Sequence, residues 1–99
     1  SFIRYSPGDR FRSDVLLFSN PAAKDKRHRL TIRSSDTEGR TWSAYRLLHE
    51  GPSAYSCLTT LPQATEETAD VGCLYEGGQN TAYEKIIFAR MSLKWLGGR

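Results

Sequence analysis

The 99-residue chain has two cysteines, one methionine and no long apolar run. Two thiols, at Cys57 and Cys73, cannot build a disulfide framework, and their spacing matches no metal site. A membrane-spanning helix needs ~20 predominantly apolar residues in a row, and nothing here approaches that. Charge of one sign is scarce too: 14 Lys and Arg stand against 11 Asp and Glu, for a formal charge of +3. So even a balance gives no argument for a nucleic-acid partner. Convincing helical periodicity is missing, as are phosphate-binding glycine loops, and Gly77 and Gly78 read simply as a turn. His28 and His49 lack partners at metal or triad spacing and are expected to be structural or exposed. There is no signal-peptide pattern, which leaves localisation open.

What is present is a series of short strand-like runs divided by turn chemistry. DVLLFS at 14–19 is a compact apolar run closed by the breaker pair Asn20 and Pro21. HRLTIRS at 28–34 alternates, placing Leu30 and Ile32 on one face and Arg29, Thr31 and Arg33 on the other. Further strands are expected at 42–48, 54–60, 71–75 and 83–93, with a break at Glu50, Gly51 and Pro52 and a polar, acidic loop over 62–70. Runs 15–18, 71–75 and 86–89 are apolar on both faces, as in sheets stacked on both sides. These features predict an all-β sandwich, barrel or propeller. Cys57 and Cys73 are equidistant from residue 65, so a hairpin centred there would set them face to face. Either a cross-strand disulfide or two reduced, buried thiols fits that arrangement, the reduced pair being the ordinary outcome. Both ends read as unfinished: residues 1–11 are basic and aromatic without a clear cap, and LKWL at 93–96 stays apolar almost to the last residue. Open-edged short strands make a poor independent unit, so a fragment of a larger domain is expected.

The segment SSDTEGRTW at 34–42 is the most informative. Asp36 can accept backbone N–H bonds in the turn, Gly39 can supply a positive φ, and Trp42 can pack beneath. This segment resembles the Asp-box of sialidases and related propellers, Ser-x-Asp-x-Gly-x-Thr-Trp, with one extra residue between Asp36 and Gly39. Its implied role is structural. Other pieces follow in the order of the C-terminal part of an exo-α-sialidase catalytic domain: LLFSNP at 16–21, Arg27, AYS at 54–56, GCLYE at 72–76 and YEKIIF at 83–88. The resemblance implies the last one and a half blades, roughly, of a six-bladed β-propeller, with residues 1–99 a C-terminal fragment of a single domain.

The same resemblance implies the site. Tyr83 is similar to the family's nucleophile, a phenol in place of a carboxylate because the sialic acid anomeric carbon carries its own carboxylate. Arg27 is similar to the third member of the arginine triad that grips that carboxylate, for which a planar, permanently charged guanidinium is suited. Arg29 is the alternative if the register slips by two. Glu76 and Glu84 are candidates for orienting an arginine or flanking the tyrosine, and Tyr55 for bordering the pocket; each could equally be packing or a strand-end acid. The general acid, the base and two arginines are expected in earlier blades, so the fragment alone is expected to be inactive. No metal and no cofactor is implied. The implied partners are a sialylated glycan substrate and the rest of the propeller along the open edges. A non-catalytic carbohydrate-binding or scaffold module, or a free-standing small β-domain, are the alternatives.

Overall fold

The computed structural model describes residues 1–6, 14–42, 44–61 and 71–96. Tyr, Phe, Val, Ile and Thr suit a pleated, half-buried surface, and the runs that hold them form six strands: β1 (Phe2–Tyr5), β2 (Val15–Pro21), β3 (His28–Ser35), β4 (Ala44–Thr60), β5 (Val71–Gly77) and β6 (Lys85–Met91). They pair in chain order, each antiparallel to the next. The sheet curls into a half-barrel, the all-β architecture of a propeller fragment. No helix among the described residues is long and apolar enough to cross a membrane.

The curl closes a core between the two halves of the sheet. Val15, Leu17, Leu30 and Ile32 come from β2 and β3, Leu58, Val71, Cys73, Tyr75 and Met91 from the other half, and Leu93 and Leu96 pack from beyond β6. Each fully buried aliphatic side chain contributes ~1.5–3 kcal/mol by leaving water. Polar contacts pin the fold-over where the strands approach. The Ser19 and Ser56 hydroxyls are 2.7 Å apart, the Ser1 amino group donates to the Ser19 carbonyl, and the Leu58 N–H donates to Ser1 Oγ at 3.0 Å. The terminal LKWL is part of this closure: Ser34 Oγ donates to the Leu96 carbonyl and Arg46 Nε to that of Trp95.

Several sequence expectations change. The two strands expected at 42–48 and 54–60 are one, β4, which runs through Glu50, Gly51 and Pro52. Its first part pairs with β3 and its second with β5. Pro52 sits at the change of partner, where its missing N–H costs nothing, while its carbonyl accepts from Gly78 N at 3.1 Å. The next N–H, of Ser53, donates to the Arg27 carbonyl at 2.7 Å. A second change is that residues 2–5, not recognised as a strand, pair with β2.

The cysteines, third, do not face each other. Cys57 pairs with Leu74, and Leu58 pairs with Cys73. A one-residue offset in a period-2 structure moves a side chain to the opposite face. Cys57 is therefore exposed, Cys73 buried, and both are free thiols.

The fourth change is at the turn between β3 and β4. Ser35 Oγ, not Asp36, accepts the converging N–H groups, from Thr37 at 3.3 Å and Gly39 at 3.0 Å. Thr37 Oγ1 then accepts from Thr41 N at 2.8 Å. Asp36 is exposed and has no hydrogen bond among the described residues. A hydroxyl one residue earlier already occupies the mouth of the turn. Gly39 has the expected positive φ, 83°, shared with Glu38 at 57°. Trp42 packs against Phe2 and Phe18, with ring centroids 6.3 Å away in each case. The loop expected over 62–70 lies outside the described residues.

Candidate active site

The change of partner along β4 is also where the polar side chains gather. Arg27 lies at the end of the β2–β3 connection, fixed by its carbonyl bond from Ser53. Its guanidinium reaches over β4 and stands 5.1 Å from the centre of the Tyr55 ring, a cation–π distance. Arg27 Nη1 also donates to the Tyr83 hydroxyl at 3.0 Å. Glu76, near the end of β5, accepts the Tyr55 N–H at 3.2 Å. Arg27, Tyr55, Glu76 and Tyr83 thus form one connected group drawn from four separate stretches of chain.

Tyr83 does not open β6, as expected, but precedes it in the turn over 78–84, since the strand begins at Lys85. The turn is closed by Glu84, whose Oε2 accepts from Asn80 N at 2.6 Å and Thr81 N at 2.7 Å. Thr81 Oγ1 accepts from Tyr83 N at 3.3 Å. The bond from Thr81 N to Glu84 is one half of a Thr-x-x-Glu capping box, with the Thr81 hydroxyl taking Tyr83 N instead of the Glu84 N–H; the spacing is legible in the sequence at 81–84 but not recognised there. These amides hold the Glu84 carboxyl below its ordinary range, Thr81 contributing most, then Asn80. Glu84 therefore meets the turn and not an arginine. His49, expected to be structural or exposed, supports the turn: its Nε2 lies 3.1 Å from the Gly78 carbonyl, and its ring packs on Tyr75.

Arg29, the alternative to Arg27, is engaged elsewhere. It has a positive φ of 62° at an irregularity of the β3–β4 ladder. Its Nη1 lies 2.9 Å from a Glu50 carboxylate oxygen. Arg27 has no carboxylate partner among the described residues. Hydrogen bonding to Tyr55, then to Tyr83, raises its pKa further, so it is a permanent cation. The group is open to solvent, with Tyr55 72% and Tyr83 66% exposed. An unpaired guanidinium flanked by phenols can receive a carboxylate through a bidentate pair of hydrogen bonds. No cluster of metal-ligating side chains occurs among the described residues.

The chain is 40% identical over 93 residues to a sialidase of Micromonospora viridifaciens, covering 94% of this chain and 13% of that protein. This chain is a sialidase homologue. It is also 37% identical over 81 residues to sialidase-4 of Homo sapiens, covering 80% of this chain and 17% of the relative. Sialidase-3 of Mus musculus matches at 39% over 79 residues, 78% of this chain and 18% of the relative. A scan against models of protein families finds no match. The sialidase-like chain spans less than a fifth of the length of each of these three relatives. The sialidase likeness extends over most of its residues.

Proposed function

We propose that this chain is the C-terminal fragment of one propeller domain in an exo-α-sialidase, contributing part of a site that releases terminal sialic acid from glycoconjugates. The observation that carries the reading is the Arg27 guanidinium, with no carboxylate partner among the described residues and bracketed by two phenols. Arg27 receives the substrate carboxylate. A tyrosine oxygen attacks the anomeric carbon as the bond to the aglycone breaks. A base elsewhere in the parent takes the phenol proton, and an acid protonates the leaving oxygen. Water then cleaves the tyrosyl–sugar bond, so configuration is retained. Those acid and base groups, and two further arginines, belong to the rest of the propeller, so the fragment alone is inactive.

The resemblance in sequence favours Tyr83 as nucleophile. A second reading gives that role to Tyr55, and the geometry favours it. Tyr55 stands on a strand beside Glu76, whereas Tyr83 stands in a turn with its oxygen already accepting from Arg27. A strand holds a reacting atom more tightly than a loop, and a lone pair engaged by a guanidinium is a poorer nucleophile.

Hydrolysis of a fluorogenic sialoside by the full-length parent, with Tyr55→Phe and Tyr83→Phe variants, tests both. The nucleophile's variant loses more than ~10³-fold in kcat with folding intact. No activity in the parent overturns the sialidase reading and leaves a non-catalytic carbohydrate-binding or scaffold propeller.

A further inference from the structure

Glu84 makes a contact for which the sialidase chemistry has no direct use. Its Oε2 gathers two backbone N–H groups at 2.6 and 2.7 Å, and Thr81 Oγ1 takes a third from Tyr83. The turn so closed has no slack at its base. A Cβ on Gly78 would lie 2.3 Å from the Thr81 carbonyl oxygen and 2.8 Å from Glu84 Cβ. From this turn the Tyr83 hydroxyl meets Arg27 Nη1 at 3.0 Å. On its other side Arg27 lies against Tyr55, 5.1 Å from the centre of its ring. The hydrogen bond that Arg27 Nη1 donates to the Tyr83 hydroxyl, with Tyr55 opposite, thus sets which N–H groups of Arg27 point outward.

We propose that Glu84 is a positioning residue: its carboxylate clasps turn 78–84 so that the Tyr83 hydroxyl holds Arg27 aimed at the substrate carboxylate. The proposal rests on the sialidase reading with Tyr55 as nucleophile and deepens it, giving Tyr83 and Glu84 a share in substrate affinity and none in bond breaking. A carboxylate is needed because bonds to an ionised acceptor are roughly twice as strong as neutral ones. When Glu84 is protonated the clasp weakens, Tyr83 is released and Arg27 loses its orientation. The charged and titratable groups around the clasp are Lys85, next in the chain, His49 beneath Gly78, and Arg27 reached through Tyr83. Arg27, its pKa raised by its phenol neighbours, stays charged throughout acid pH.

Steady-state kinetics of the full-length parent on a fluorogenic sialoside, from pH 3 to 8, test the proposal. Glu84→Gln raises KM by about 3- to 10-fold at neutral pH, the loss expected of one hydrogen bond, with kcat within twofold. The parent's KM rises as pH falls through the depressed Glu84 pKa, and that limb is absent from the variant. Tyr83→Phe gives the same KM effect, and the double variant shows no further rise, because both act through one contact. An active parent whose Glu84→Gln variant keeps its KM and acid limb overturns the proposal alone. So does a collapse of kcat in Tyr83→Phe, or an equal fall of kcat and thermal midpoint in Glu84→Gln. A parent inactive on sialosides overturns the sialidase reading first, and the positioning role with it.

Discussion

At the scale of single residues, the two cysteines show how much depends on one step of register. Equal spacing about residue 65 set them opposite each other, whereas the ladder pairs Cys57 with Leu74 and Leu58 with Cys73. Burial pushes the Cys73 thiol up to about 11, and a buried neutral thiol is a poor nucleophile. Titration of the native chain with a thiol reagent at pH 8 is therefore expected to show one fast equivalent, Cys57, and a second only after denaturation. Two fast equivalents would contradict the register. The candidate site divides in a similar way. Arg27, Tyr55, Glu76 and Tyr83 were all named from motif order, and they meet in space. Motif order could not say that two phenols share one guanidinium, because that contact joins residues 28 and 56 positions apart. Nor could it place Glu84 on its own turn, although the Thr-x-x-Glu spacing that does so is local.

At the scale of elements, β4 is the departure from expectation with the largest consequence. Glu50, Gly51 and Pro52 carry breaker chemistry, and a reading of local signals divides the strand there. The chain continues because breakers are tolerated where a strand changes partners and the ladder already has a gap. Gly51 is then a packing requirement, since a Cβ there would lie 2.9 Å from the Gly78 carbonyl oxygen. Gly51→Ala is expected to cost roughly 1–3 kcal/mol in chemical denaturation, with the amides of Ser53 and Gly78 exchanging faster. An unchanged midpoint would mean that β4 bends away from the turn and that Gly78 is not its neighbour.

At the scale of the whole molecule, the runs read as apolar on both faces split into two cases. Residues 15–17 are buried. On β5 and β6, Cys73 faces the core, but Leu74, Phe88 and Ile86 remain 47%, 49% and 75% exposed on the opposite face. Leu74 and Phe88 pair directly across the ladder, so the strip is continuous and borders a free edge at β6. In the proposed parent the rest of the propeller covers it. In isolation the 99-residue chain is expected to self-associate at micromolar concentration, and Ile86→Lys with Phe88→Lys to shift it toward monomer in sedimentation. A monomeric wild-type chain would contradict this and favour a free-standing β-domain.

The sequence by itself determined the strand chemistry, most of the strand positions, the Gly39 turn and the family likeness, because each is written in residues close together along the chain. Only the tertiary structure decided the register that separates Cys57 from Cys73, the continuity of β4, and the meeting of Arg27 with Tyr55 and Tyr83. Those depend on contacts between distant residues, whose free energies are set by packing and shared hydrogen bonds, not by local preference.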